Sequence, residues 1–393
     1  MANHIPFITS KKACDLVKSI YGDSEYVRVP AHGAADFCPL LASGFRLWID
    51  PGIDGLDNLD QRRSTDTWPN PWYEFIKEFP HVATIADTSF HSKPDKKIVG
   101  KFVNAILTVC AKRKPAWITV PQLPMVDNSD RNKINRAFAF AAGAWKSSSD
   151  YKGQLILPLV FTHQGQVNLK TARNNKVDLA EKYYRSAQAS GLWVVDKSLV
   201  DDNGSKTLRN TRFPGIIALH EELNEKIPSR VKVGGPYWGM NLVLWVRGLI
   251  DYPAIGVGNS FQYHLSGGHS KQPKVKLALE PLRRRTGVGQ LRHWLDDALG
   301  VLGTAHPGYS EFAELKKHLN ILRDPERARG QVAIFYKNWF DSLAATPQLG
   351  RSLALYQELS GAYALGKSLP EIPGEKTARR PESVAEALML SCL

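Results

Sequence analysis

The chain has 393 residues, enough for a full core of barrel size with additions, and 43% of them are hydrophobic. A formal net charge of +13 at pH 7 favours an anionic partner, nucleic acid being the commonest. Four cysteines (Cys14, Cys38, Cys110, Cys392) share no CxxC spacing, which argues against a zinc knuckle and a disulfide framework. The N-terminal MANHIPFITSKKACDLV lacks a signal-peptide core, and no run reaches membrane-spanning length. The expectation is a cytoplasmic protein without membrane contact, metal or cofactor.

In chain order, residues 1–44 are expected to form an N-terminal cap. Eight apolar runs then follow at barrel-like intervals: Phe45 to Asp50, Val82 to Asp87, Ala116 to Pro121, Leu155 to His163, Leu192 to Asp196, Gly215 to His220, Arg230 to Gly235 and Ala254 to Gly258. Continuous apolar strands separated by helical patterns suit a parallel sheet covered on both faces. Between them, DKKIVGKFVNAILTVCAKRK places Ile98, Val99, Phe102, Val103, Ile106, Leu107 and Cys110 on one stripe. SDRNKINRAFAFAAGAW opens on the cap candidate Ser129, and VDLAEKYYRSAQAS runs towards a stop at Gly191. These units predict an α/β fold, a (β/α)8 TIM-type barrel over residues 45–265. A basic segment and helical region is expected over 266–366, and a Pro- and charge-rich flexible tail over 367–393.

Function in such a barrel belongs at the strand ends. The first run closes on Asp50-Pro51-Gly52-Ile53-Asp54-Gly55 and the second on Asp87-Thr88-Ser89. Two carboxylates in one pocket can divide into a proton donor and an ionised stabiliser. Each is also a common turn cap. The fourth run ends in His163 and Gln164, hydrogen-bonding groups suited to a base edge. The fifth ends in Asp196-Lys197, and the sixth in His220-Glu221-Glu222, which lacks the second histidine of HExxH. The seventh ends in Gly235-Pro236-Tyr237-Trp238, a glycine and two aromatics that make a platform for a flat ligand or pack on the next helix. The loop after the eighth carries Asn259, Ser260, Phe261, Gln262 and Tyr263. Beyond it, Lys271, Lys274, Lys276, Arg283, Arg284 and Arg285 are opposed only by Glu280 and are expected to hold nucleic-acid phosphates.

Taken in order, these strand ends resemble the tRNA-guanine transglycosylase superfamily, which includes the archaeosine enzymes and the DNA-acting deazaguanine transglycosylases. Asp50 to Gly55 resembles the family's DSGGFQ loop, Ala86 to Ser89 its FDECTP segment, and Val160 to Gly165 its IVQGG segment. Gly234-Gly235-Pro236 through Arg247-Gly248-Leu249-Ile250-Asp251 is similar to its GVG-P segment, helix and RGIDMFD. The resemblance covers roughly residues 45–265. It implies Asp50 as a catalytic carboxylate, Asp87 as a base-binding one, and Gln164 in the glutamine's part. Two features depart from the family. Pro253 stands where its nucleophilic aspartate belongs, with Asp251 two positions earlier, and its CxCxxC zinc site is absent.

Without the nucleophile that forms the sugar–enzyme intermediate, the residual reaction is hydrolysis of the N-glycosidic bond. The leading expectation is therefore a DNA glycosylase that removes a modified base from double-stranded DNA and leaves an abasic site. This resembles the anti-phage glycosylases that remove glucosylated hydroxymethylcytosine. Asp50 would act at the sugar and Asp87 at the base, with His163, Gln164, Gly235, Tyr237 and Trp238 around a flipped base. The alternatives are base exchange with a displaced nucleophile at Asp251, and a barrel that only binds nucleic acid.

Overall fold

The structure is a computed structural model. It describes residues 4–41, 44–64, 69–163, 165–200, 208–257, 261, 263–264, 276–306, 308–317, 324–369 and 380–392. Eight parallel strands close a barrel in chain order. They are β1 (Ile5–Phe7), β2 (Tyr26–Pro30), β3 (Arg46–Asp50), β4 (Trp117–Thr119), β5 (Gln154–Phe161), β6 (Gly191–Asp196), β7 (Val231–Gly234) and β8 (Tyr252–Gly256). Closure is made by β1 against β8, with Ile5 opposite Ala254 and Phe7 opposite Gly256. The expected (β/α)8 barrel with a C-terminal helical extension is the fold observed.

Six of the expected strands are staves. The other two are helical. Val82–Ala86 is a short helix entered through the left-handed His81 (φ 62°), with Ile85 its buried residue. Gly215 to His220 lies inside the helix Phe213–Lys226, which buries Phe213, Ile216, Ile217, Leu219, His220 and Leu223. That is helical spacing, visible only when the window extends past the apolar run. The missing staves are β1 and β2, so residues 1–44 are the start of the barrel rather than a cap. The tail also differs from expectation: the helix Ser383–Met389 buries Val384, Ala385, Ala387 and Leu388 in the main core.

The barrel interior is filled by aromatic rings. Tyr26 stacks on Trp117 at 3.8 Å, and Trp117 meets Trp48 edge-on at 5.9 Å. Above them Trp48, Trp193 and Phe7 meet edge-to-face at 5.4–5.5 Å. Outside, Lys96–Ala111, Ser129–Ser148, Lys170–Ser186, Phe213–Lys226 and Met240–Val246 each return the chain to the next strand. After β8 that return is delayed. The chain first makes a hairpin, β9 (Lys276–Leu279) with β10 (Arg284–Gly287), and the helices Val288–Leu302 and Tyr309–Lys317 around a small second core. The helix Pro325–Ala345 then completes the ring: its Phe335 stacks on Trp238 at 5.5 Å, and its Phe340 lies 5.0 Å from His4. Among the described residues no helix is long and apolar enough to cross a membrane.

His4 and His220 are buried in this framework as neutral rings. Burial lowers His4 to about 3, with the Asp23 carboxylate opposing and Lys337 reinforcing that shift. Burial and Lys232 lower His220 to about 3. Unfolding restores both to the ordinary value near 6.5, so below that pH the unfolded chain binds more protons than the folded one. Stability should therefore be flat in this respect above pH 6.5 and fall progressively between 6.5 and 3. Urea midpoints measured across that range check it. In His220→Leu the slope should be shallower by about one proton.

Candidate functional site

The eight barrel strands run the same way, so their C-terminal ends share one mouth, over which lie Ile53 and Asp54 after β3 and Tyr263 after β8. Between them lies a narrow cleft with room for about one water molecule, lined by Asp50, Ile53, Asp54, Thr119, Val120, Gln122, Pro158, Val160, Trp193 and Tyr263. Ordinary ligand pockets are far larger, roughly 300–1,000 Å3. A ligand bigger than water therefore enters only when a wall moves.

Asp50 is the last residue of β3 and is 3% exposed. One carboxylate oxygen pairs with the Arg28 guanidinium from β2, and the other accepts the Gly52 N–H at 3.1 Å. Gly52 has φ 68°, the left-handed turn that folds the following residues back over the mouth. Arg28 lies over the Phe7 ring at 4.4 Å and the Trp193 ring at 4.9 Å. A guanidinium between two ring faces gains an attraction that offsets part of its lost hydration. His32, two residues beyond β2, is half-buried. Burial is the main reason its pKa falls to about 4, and Arg28 lowers it further while Asp50 opposes.

Asp54 is the second carboxylate of the cleft. It is 5% exposed and accepts the Tyr263 hydroxyl at 2.8 Å. Tyr263 meets Trp193 edge-to-face at 5.2 Å. Burial, then the Asp54 charge, holds its phenol well above the usual range, so it acts as a neutral donor. Arg62, nearly buried over Trp72, is also within electrostatic reach of Asp54 and Tyr263.

Thr119 and Gln122 bring neutral polar groups from the end of β4. The Thr119 hydroxyl oxygen accepts Trp48 Nε1–H at 2.9 Å, which leaves its own O–H to donate. Gln122 Nε2 donates to the Asn135 carbonyl at 3.0 Å. Asn135 is itself locked, since its side chain both accepts Leu123 N–H at 2.9 Å and donates to Leu123 O at 3.0 Å. Gln122 is thus held with its amide oxygen as the remaining acceptor.

The expected site residues disperse. Asp50 lies in the cleft. Asp87 does not: it sits on the exposed turn Thr88–Ser92, where its carboxylate caps the Ser89 N–H at 2.9 Å. That bond holds its carboxyl below the ordinary range. Asp251 immediately precedes β8, at the barrel end opposite the mouth, and accepts the Lys232 N–H at 2.9 Å. No displaced nucleophile reaches Asp50 from there. His163 is exposed beyond β5. Gln164, Asn259, Ser260, Gln262, Lys271 and Lys274 lie outside the described residues.

Tyr237 and Trp238 are both fully buried. The Tyr237 hydroxyl accepts the Asp196 N–H at 2.5 Å, and Trp238 Nε1 donates to Arg283 O at 3.0 Å. They are core packing, not a base platform. Gly235 keeps a supporting role. At φ 86°, with no room for a Cβ beside Asn241, it presents the carbonyl that accepts Trp193 Nε1–H at 2.8 Å.

The arginines expected on phosphates are also internal. Arg284 is 2% exposed, 4.7 Å from the Trp294 ring, and donates to Arg380 O and Pro381 O. Arg285 covers Phe261 at 4.6 Å and Trp238 at 5.1 Å. Arg283 pairs with Glu358 at 3.3 Å beside Trp339. Lys276 begins β9 and is half-buried.

Sequence reasoning missed Arg28, His32, Thr119, Gln122 and Trp193 as site residues. A signal for the first was present, because YVRVP alternates as a strand does, but its arginine reads as a solvent-facing position.

No known protein family matches the sequence, and no curated protein matches it. Among solved structures, the carboxyl transferase domain of Rhizobium etli pyruvate carboxylase, determined with pyruvate, is similar at 12% identity and a TM-score of 0.35. The match covers 99% of this chain and 61% of that one, so the chain spans about three fifths of its length. A likeness of that size carries no argument about chemistry.

Two predictions follow from the site. Arg28→Met leaves Asp50 buried and unpaired, which should lower unfolding stability by about 3–5 kcal/mol, whereas Arg28→Met with Asp50→Leu should recover most of it. Denaturant titrations of the three proteins check this. Arg285→Ala should lower stability by about 1–2 kcal/mol in the same titrations, through loss of its contacts with Trp238 and Phe261.

Proposed function

We propose that the protein hydrolyses the N-glycosidic bond of a modified nucleotide in DNA, and that Asp54 takes the second carboxylate's part once given to Asp87. The observation that carries the reading is the pair Asp50 and Asp54 in one buried cleft, one beside a guanidinium and the other beside a phenol. Carboxylates in unlike surroundings can divide stabilising and proton-transfer roles.

Breaking the bond sends its electron pair to the base and leaves positive charge on the sugar C1′. Asp50, fixed in place by its pairing with Arg28, stabilises that charge. Water adds to C1′ and gives its proton to Asp54, which returns it to the departing base. The Thr119 hydroxyl and the Gln122 amide oxygen offer one donor and one acceptor to the base edge. A base in duplex DNA reaches the cleft only after flipping, which agrees with a site recessed at a barrel mouth.

Hydrolysis rather than exchange is favoured because Asp251 is at the far end of the barrel, so the resemblance to transglycosylases does not extend to their nucleophile. The modified base, of the glucosylated hydroxymethylcytosine type, is what that resemblance implies.

Mass spectrometry of small molecules released from DNA containing glucosylated hydroxymethylcytosine, hydroxymethylcytosine or cytosine tests the proposal. Free modified base and abasic sites are expected from modified DNA alone. Asp50→Asn and Asp54→Asn should each lower kcat by about 100-fold or more in protein whose circular dichroism is unchanged. Intact DNA in every arm with folded wild-type protein overturns the reading.

A further inference from the structure

The buried arginines leave open which cations meet the charge of a bound strand, and a different cluster stands out. Lys93, Lys96, Lys97 and Lys101 are all exposed, within nine positions of one another, at the start of the helix Lys96–Ala111. That helix leads down to the beginning of β4, so its N-terminal end is at the mouth of the barrel. The preceding turn, Thr88–Ser92, is tied to the next helix by Lys133 Nζ donating to Ser92 O at 3.1 Å. That next helix also carries Arg131, which pairs at 2.6 Å with Asp57 of the turn Ile53–Asn58, whose Ile53 and Asp54 line the cleft. The lysines therefore flank the cleft on its β3–β4 side.

Two physical facts bear on them. Elsewhere on this surface some lysines sit beside carboxylates, Lys12 with Glu326, Lys77 with Glu74, Lys133 with Asp130 at 2.8 Å and Lys226 with Asp178, while Lys18, Lys152 and Lys182 form no ion pair among the described residues. None of the four forms one either, and the one carboxylate between them, Asp95, caps the N–H groups of Lys97 and Ile98 at 2.7 and 3.2 Å. Lys96 and Lys97 also occupy the first two positions of their helix, as Lys11 and Lys12 do in the helix Lys11–Ile20, where Lys12 is paired with Glu326. Cations there oppose the helix dipole, and the same residues would be stabilising at the other end. The backbone amides are already capped, so the attraction for an anion is that of the ammonium groups.

We propose that Lys93, Lys96, Lys97 and Lys101 form a nucleic-acid backbone-binding surface, holding successive phosphates of the strand whose base enters the cleft. The surface rests on the hydrolase reading only for the fate of the base; binding itself is separable. The probe is a short fluorescein-labelled DNA duplex, titrated by anisotropy across a salt series.

Lys93→Gln/Lys96→Gln/Lys97→Gln should weaken binding about tenfold or more at low salt. The slope of log K against log salt should fall by about 2–3, close to 0.9 for each lost phosphate contact. Its melting temperature should be equal to wild type or higher, because cations have been removed from the positive end of a helix. Lys112→Gln/Lys114→Gln, at the opposite end of the same helix, should leave affinity within about twofold, since no phosphate contact is lost.

Unchanged affinity and slope in the triple variant overturn the surface. So does wild-type protein that ignores the duplex at low salt, or one that binds an acidic peptide in its place. Duplex binding through the lysines without base release sinks the hydrolase and keeps the surface. Base release with KM unchanged in the triple variant does the reverse.

Discussion

The Arg28–Asp50 pair is the constraint around which the mouth is organised. Both side chains are inside a barrel otherwise packed with Trp48, Trp117, Trp193, Phe7 and Tyr26. Two charges in such a place must compensate each other, because removing either leaves an uncompensated ion. The register makes the pairing reachable: Arg28 is opposite Trp48 and Pro30 opposite Asp50, so the guanidinium reaches one pleat up and across to the neighbouring strand's end. Phe7 and Trp193 then fix the guanidinium plane, and Gly52 N–H fixes the second carboxylate oxygen. Apolar residues could fill that volume with equal or better stability. What they could not supply is a carboxylate held in one orientation beneath the cleft.

The same device recurs around the rim. Asp196 at the end of β6 takes Arg212 at 2.6 Å, Asp57 takes Arg131 at 2.6 Å, and Glu222 takes Arg173 at 2.8 Å. The first two join a strand end or turn to a neighbouring helix, and the third joins two neighbouring helices. Partly buried pairs of this kind add geometric specificity more reliably than stability. They also explain why net charge misled about location. An excess of +13 counts residues regardless of place, yet Arg28, Arg212, Arg284 and Arg285 are interior staples. A run of arginines beside aromatics is a surface track in one fold and a set of cation–π braces in another. Only the positions of Trp238, Phe261 and Trp294 decide which.

Much of the barrel was legible because its physics is local. β4, β5 and β6 are largely apolar on both faces and stop at turns, and the helix Lys96–Ala111 shows its buried stripe openly. The errors arose where local pattern is ambiguous. Val82–Ala86 and Gly215 to His220 are apolar runs of strand length, and burial against a sheet from outside looks the same in sequence as burial within it. β1 was lost because three residues carry little signal, and β2 because Arg28 interrupts it. The count of eight was right while two of its members were wrong. That placed Asp87 next to Asp50, where the stave that pairs with β3 is β4, followed by Gln122. Asp50 was readable because it precedes a turn that only glycine makes easily, at Gly52; Asp54, in the same loop, was not singled out. Tyr263 was not assignable to Asp54, because the bond spans 209 positions.

That long-range bond carries one more consequence for the proposed chemistry. The wall after β8 is held to the wall after β3 by Tyr263 on Asp54 and by the edge of Tyr263 against Trp193. In this structure Asp54 accepts from a protein donor and the cleft has room for about one water. On the proposed chemistry, a base edge or attacking water that donates to Asp54 replaces the phenol, so occupying the site and freeing Tyr263 become one event. The interaction that makes Asp54 stable when the cleft is empty is then the one a substrate must outcompete. Selectivity in such a site comes from how well the ligand's donors substitute for Tyr263, and binding to the rest of the strand supplies the free energy that opens it.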